Sequence, residues 1–464
     1  YLYNTHKDAN GVSKLKYVTL VGAASYDFHD RLDGNTNDIP IYQSSGIQKT
    51  TNYCLDDYLG YLEAGEGDPE LAQSALNVVV GRISARNSTE ITNYFEKIVA
   101  YNSKKALGSW RNRLSFVADD IDEGWEREFT LESEDYADYI QRTYPYLRVN
   151  RIYADAYAQQ TNGNNEAYPE VTSAIRNAFE DGSLFINYQG HGGESGWAQE
   201  SIFDIPTING LSHNEHFPVL FTATCEFSRF DNPALQSAGE KVLVKKGGGA
   251  IALMTTTRTV WSSGNSIIND AFWKQYGFPK KDEPIPTLGE LYSRLKNRPF
   301  LNSEDYKFAL LGDPSLKLAF PEHLVTLDAV NDKDFADETD TLKAFSVVKV
   351  KGHIDERLKG LMSNFNGRLY VNIYDKPVQK STLDNDGVGS SIRYKTESSV
   401  LFNGEVSVIN GEFEFTFAVP KDISYQFGKG RAIFYAENGS IDAAGAWRFN
   451  IGGSEDLDEL DSLG

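Results

Sequence analysis

Apolar positions follow two rhythms along this chain, and the change between them near Leu310 divides it. Before that point the apolar residues come in short unbroken runs: KYVTLVGAASYD from Lys16, NVVVGRIS over Asn77 to Ser84, RLSFVADD over Arg113 to Asp120, LRVNRIYAD, Leu184 to Tyr188, Val219 to Thr222 and AIALMTTTR over Ala250 to Arg258. Runs this short and this rich in β-formers read as strands buried on both faces of a parallel sheet. Helical periods lie between them. Asn87 can cap a helix to Ser103, with Glu90 three residues on and Ile91, Phe95, Ile98 and Val99 sharing a face. YPEVTSAIRNAFEDG places Val171, Ile175, Ala178 and Phe179 on one stripe with Gly182 as its stop, and further helices are expected around Ser237 to Lys246, Asn265 to Tyr276 and Leu288 to Leu295. Strands alternating with helices predict an α/β fold, a doubly wound sheet with right-handed crossovers.

After Pro321 the helical period disappears, and FSVVKVKGHI, GRLYVNIYD, EFEFTFAVP, GRAIFYAE and AWRFNI follow one another between Gly, Asn and Asp turns. That spacing predicts a β-sandwich of roughly immunoglobulin size, without its cysteines. The expected units are an N-terminal α/β subdomain over 1–105, a catalytic α/β subdomain over 106–320, the sandwich over 321–453 and an acidic linker or tail over 454–464.

Composition narrows the functional classes. A formal charge of −21, from 66 acidic against 45 basic residues, argues against nucleic acid or an anionic membrane surface as a partner and suits a secreted or surface protein. No run approaches membrane-spanning length, and the chain starts at Tyr1 with no basic-then-apolar leader before Lys16, as expected of a mature or excised piece of a longer protein. Only Cys54 and Cys225 occur, so one disulfide is the maximum. The carboxylates Asp56, Asp57, Glu63, Glu66 and Asp68 read as a solvated acidic loop rather than a calcium site, since no full EF-hand register is present.

Chemistry concentrates between Leu184 and Pro233. Two apolar runs end abruptly in NYQGHGG and TATCEFSRFDNP, delivering His191 between Gly190 and Gly192, and Cys225 after Ala223 and Thr224. In an open α/β sheet the ligand crevice lies beyond the carboxyl ends of the strands, so neighbouring strands would set this imidazole beside this thiol. The pair is the chemistry of a cysteine hydrolase, with Cys225 as nucleophile and His191 as base and later acid. The amide N–H groups of Gly192 and Cys225 are the natural oxyanion hole. Asp119 and Asp120 are the candidates for orienting His191, and spacing does not choose between them. Trp261 and Gln189 are expected to line the substrate pocket. Arg258 reads as half of an internal ion pair, Cys54 as a structural thiol, and His213 with His216 as loop residues rather than zinc ligands.

At these motifs the chain resembles the gingipain family of clan CD cysteine peptidases, relatives of caspases. NYQGHGG, TATCEFSRFDNP, SAGE, GGGAIALMTTTR and LLGDPSLKL, in this order, are most similar to one branch, the C-terminal signal peptidase or sortase of the type IX (Por) secretion system of Bacteroidota. The likeness covers roughly residues 16 to 320, and Thr224 between Ala223 and Cys225 follows the sortase branch. It implies a caspase-like fold followed by an immunoglobulin-like domain, with Cys225 as nucleophile, His191 as general base, Gly192 in the oxyanion hole and Trp261 as a wall of the specificity pocket. No acid clearly matches the one behind arginine specificity, so trypsin-like cleavage is not expected. The resemblance further implies an extracytoplasmic enzyme at the outer-membrane cell surface. Such an enzyme would remove the C-terminal signal domain of exported cargo through a thioester and transfer the cargo to an amine of anionic lipopolysaccharide, alongside other outer-membrane components of the secretion system. Catalysis would need no cofactor and no metal, while structural calcium is compatible with the acidic loops. A general secreted gingipain-like protease and a catalytically silent scaffold are the competing readings.

Overall fold

The computed structural model describes residues 1–46, 48, 50–66, 74–162, 165–280, 283–335, 340–357, 359–389 and 391–455. Asp68 and nearly all of the expected tail lie outside the described residues.

Eight strands form the catalytic sheet: β1 (Tyr17–Val21), β2 (Val79–Ile83), β3 (Arg113–Ala118), β4 (Arg148–Tyr153), β5 (Phe185–Gln189), β6 (Val219–Ala223), β7 (Ala252–Thr256) and β8 (Phe308–Leu311), ordered β1-β2-β8-β7-β6-β5-β3-β4. Strands β2, β5, β6, β7 and β8 are buried at every position, which accounts for their unbroken apolar runs. The sheet is mixed rather than wholly parallel: β8 runs antiparallel to β7 and parallel to β2. The strand Phe308–Leu311, whose last two residues open LLGDPSLKL, therefore joins two parallel blocks, and both expected α/β subdomains contribute to one continuous sheet.

Helices cover both faces. Strand side chains alternate between them, so Phe116, Phe185, Phe221 and Phe308 enter one core while Val117, Ile186, Leu220 and Ala309 enter the other. Helices α1 (Ser88–Tyr101), α3 (Pro169–Glu180) and α4 (Ala238–Val244) pack on the second face. Helices α2 (Arg127–Thr143), α5 (Ser262–Ala271) and α6 (Leu288–Lys296) pack on the first. Asn87 caps α1 by accepting the Glu90 N–H, as its sequence predicts, but the helix is rotated from the expected face. Tyr94, Lys97 and Tyr101 are buried while Phe95 and Val99 are exposed. The cause is Lys97, whose ammonium donates to the carbonyls of Leu243 at 2.5 Å and Ala250 at 2.6 Å and so caps the carboxyl end of α4.

The acidic segment near residue 56 is also unlike its expectation. Asp56 makes a two-pronged pair with the fully buried Arg82 at 2.7 Å, and Asp57 sits 3.0 Å from the Lys296 ammonium. These aspartates neutralise core cations rather than face water.

The last unit has seven main strands: β9 (His323–Val330), β10 (Val347–Asp355), β11 (Gly367–Tyr374), β12 (Val400–Val408), β13 (Glu412–Ala418), β14 (Gly428–Glu437) and β15 (Asp442–Ser454), paired as β12-β11-β14-β15-β9-β10-β13. The path folds over on itself, so Phe402 from one end lies 5.6 Å from Phe417 at the other, giving a sandwich with its own core. It docks on the catalytic unit through Arg431, which donates to the carbonyls of Pro145 and Leu147, and through the Arg111–Asp442 pair at 3.0 Å.

Candidate active site

Strands β5 and β6 are parallel neighbours in the register Ala223↔Gln189. His191 and Cys225 each lie two residues past that pair, so the two strands release imidazole and thiol at the same level of the same edge. Glu226, immediately after the thiol, has φ 51°, a left-handed turn that ends the strand sharply. The Cys225 N–H has no hydrogen-bond acceptor among the described residues and is free to serve an oxyanion. Gly192 lies close against the second strand end, since a Cβ there would sit 2.6 Å from Thr224 Oγ1.

The acid that reaches the imidazole is Glu126. Its Oε1 lies 2.7 Å from His191 Nε2, on a carboxylate that is buried while the ring is partly exposed. A carboxylate there accepts the Nε2 proton and leaves Nδ1 as the basic nitrogen. Trp125 and Phe129 meet the ring edge to face at 5.7 and 5.6 Å, fixing its plane. Phe129 lies in the first turn of α2, Glu126 is its N-cap and Trp125 precedes the cap, and the sequence pattern had not marked this helix. Phe129, Tyr136, Ala137 and Ile140 do mark a buried stripe through its polar surroundings, and a helix start beside β3 was the signal that could have found Glu126.

Asp119 and Asp120, the expected orienting acids, do not reach the ring. Asp119 Oδ2 instead accepts the backbone N–H of His191 at 2.7 Å, and the Tyr188 hydroxyl donates to the His191 carbonyl at 2.6 Å, so the residue is held by its main chain. Gly190 is required there, because a Cβ would fall 2.4 Å from Asp119 Cβ. Asp120 is directed away into a group of acids. Burial, then like charges, holds both carboxyls well above the usual carboxylate range.

Gln189, expected in the pocket, is buried beneath the strand end, bonded to Glu132 and accepting from Asn269 at 3.0 Å. Trp261 stands at the surface, 62% exposed, one residue past Val260, whose carbonyl accepts the Cys225 thiol at 3.6 Å. Its N–H donates to Glu304 at 3.0 Å, and the Glu304 carboxylate is neutralised by Lys307 at 2.9 Å. No hydrogen bond or ion pair joins Cys225 to His191 among the described residues, and burial pushes the thiol above its ordinary pKa.

Both cysteines are free. Burial pushes the Cys54 thiol up to about 12, and it lies 3.6 Å from Arg258. Arg258 pairs internally with Asp231 at 2.8 and 2.5 Å, as its sequence context suggests. His216 stacks on Trp110 with ring centroids 5.5 Å apart.

The sequence profile of peptidase family C25 matches residues 1–319. Among solved structures, the Arg-specific cysteine proteinase gingipain R (RgpB) has a TM-score of 0.50 at 15% identity, over 97% of this chain and 86% of that one. The complex of the pro- and mature domains of RgpB from Porphyromonas gingivalis gives 0.49 at 16%, over 97% and 88%. Dimeric latent PorU from Porphyromonas gingivalis gives 0.36 at 19% identity; the match spans 96% of this chain and 36% of that one. None of the curated proteins matches the chain.

Proposed function

The chain belongs to peptidase family C25, and from that premise we propose that it is a cysteine endopeptidase and transpeptidase that processes exported cargo. The observation that carries the proposal is the Glu126–His191 contact at 2.7 Å on a strand in register with the one that delivers Cys225. In the reaction, His191 Nδ1 takes the thiol proton as Sγ adds to the scissile carbonyl. The oxyanion is held by the N–H groups of Cys225 and Gly192. His191 then returns the proton to the leaving amine, the C–N bond breaks, and a thioester remains on Cys225. Water or a second amine adds to that thioester, losing its proton to His191 and releasing the thiol.

The motifs shared with the type IX sortase branch support a narrower assignment. The leaving piece is the C-terminal signal domain of a secreted cargo protein, the acceptor is an amine of anionic lipopolysaccharide, and the enzyme works at the outer-membrane surface with other components of that system. The reaction needs no cofactor. No described helix is long and apolar enough to cross a membrane, so docking at that surface would fall to other features. Glu304 is already spent on Lys307 and the Trp261 N–H, which supports a pocket without arginine preference.

The test uses a cargo fusion bearing a C-terminal signal domain, incubated with the protein and a soluble amine. The expected product is a single linker cleavage with the amine joined to the new carboxyl end, read by mass spectrometry and absent in Cys225→Ala. Degradation of denatured casein without amine adducts would reject the transpeptidase reading in favour of a general protease.

A further inference from the structure

A chain with a net charge of −21 carries an unbalanced pair of arginines at one edge of its catalytic sheet. Arg113 and Arg148 open β3 and β4 and are partners in parallel register, so both side chains leave the same face from strands about 5 Å apart. Like charges set directly opposite destabilise a strand pair unless something neutralises them. Little does so here. Among the described residues the Arg148 side chain makes no hydrogen bond or ion pair, and its guanidinium lies over the Tyr374 ring, 5.8 Å from the centroid. Arg113 uses only Nη1, on the carbonyls of Asp181 and Gly182 at 3.2 and 3.3 Å. Its carboxylate partner, Asp181, is 72% exposed and 3.9 Å away. Burial, then the charge of Arg148, pulls the Arg113 guanidinium below its ordinary pKa. Both arginines open onto a cavity of about 310 Å³ between β4, α3 and the sandwich, which Tyr157, Asn177, Tyr374 and Thr396 also line. Thr396 Oγ1 is buried without a hydrogen-bond partner among the described residues.

We propose that this cavity binds a small soluble phosphate monoester with a sugar-sized polar body, its phosphate held between Arg113 and Arg148. Two guanidinium groups balance a phosphate ester of charge about −1.5 to −2 at neutral pH, whereas a carboxylate would leave one of them unmet. Their planar forks also match the geometry of phosphate oxygens. The Thr396 hydroxyl, the Asn177 amide and the Tyr157 phenol line the rest of the space and suit the hydroxyl groups of a sugar. The volume lies at the lower end of the range for ligand pockets, about 300 to 1,000 Å³, which favours a monosaccharide over a nucleotide. A phosphate carried on an anionic membrane is disfavoured by the net charge of −21. The acids at the rim offer little opposition, since Glu397 is paired with Arg431 and Asp181 is mostly in solvent. The cavity also stands apart from the dyad. Arg113 and Arg148 begin strands of six residues whose far ends face the His191 edge, about 20 Å away. Its ligand touches β4 of the catalytic unit and Tyr374 and Thr396 of the sandwich at once, so binding ties the two units together.

This inference does not depend on the peptidase reading. The full chain is titrated calorimetrically at low ionic strength with glucose 6-phosphate, and in parallel with glucose, inorganic phosphate and vesicles containing phosphatidic acid. Saturable binding of glucose 6-phosphate is expected with Kd below about 1 mM, tighter than that of inorganic phosphate, while glucose gives none. Arg148→Gln and Arg113→Gln should each weaken it at least about tenfold. Arg148 is exposed and holds no bond within the chain, so its variant tests the site even where Arg113→Gln fails to fold. Without ligand, Arg148→Gln should melt no lower than the parent, because the substitution removes a repulsion; a purely structural contact with Tyr374 would make it melt lower. Absence of saturable glucose 6-phosphate binding, binding undiminished in Arg148→Gln, or binding to the vesicles alone would overturn the proposal.

Discussion

At the scale of single residues, the two cysteines have opposite environments. Cys54 is fully buried with its thiol pushed up to about 12, whereas Cys225 is partly accessible, with a thiol raised by burial and donated to the Val260 carbonyl. A raised pKa means the neutral thiol persists to higher pH, so thiolate forms only as pH climbs past the ordinary thiol range. Iodoacetamide labelling of the resting protein should therefore rise steadily through pH 9, without a plateau below pH 7. At pH 8, Cys225 should react at least about tenfold faster than Cys54, as read from modified peptides. A plateau below pH 7 that disappears in His191→Ala would instead indicate a preformed thiolate–imidazolium pair.

At the scale of elements, what could be read in advance followed from unmixed patterns. The stripe Val171, Ile175, Ala178 and Phe179 is the buried face of α3, and the buried runs became strands of the sheet, because apolar burial alone positions those residues. Expectation and structure part where polar groups enter the core. Lys97 turned α1, Asp56 and Asp57 left the solvent for Arg82 and Lys296, and α2 was hidden by its acidic surface. Each depends on a partner distant in sequence, which local periodicity does not encode. Strands β9 and β12 escaped notice for a related reason, since mixed polar and apolar sequence leaves several of their positions only half-buried. Lys97 gives this a measurable consequence. Its ammonium satisfies several carbonyls at the end of α4 inside the core, so Lys97→Met should destabilise the catalytic unit by about 3 kcal/mol or more, seen as a lowered calorimetric transition. A change under about 0.5 kcal/mol, the range of ordinary surface substitutions, would contradict that role.

At the scale of the whole molecule, the site is assembled from separate stretches of chain. Strand β6 presents the thiol, β5 the imidazole, the loop after β3 holds the His191 main chain, and the start of α2 supplies the acid. That Cys225 and His191 come off neighbouring strand ends was legible because each follows a strand at a Gly- or Ala-flanked end, whereas the Glu126 contact depends on how a helix folds back over that edge. The account's central claim is that Glu126, not Asp119 or Asp120, orients His191 through Nε2. The direct measurement is the pH dependence of kcat and KM on a cargo-linker peptide for wild type, Glu126→Gln and Asp120→Asn. Glu126→Gln should lower kcat by about a hundredfold with KM nearly unchanged, and Asp120→Asn should retain most of its turnover. Wild-type turnover in Glu126→Gln, together with a collapse in Asp120→Asn, would contradict the account.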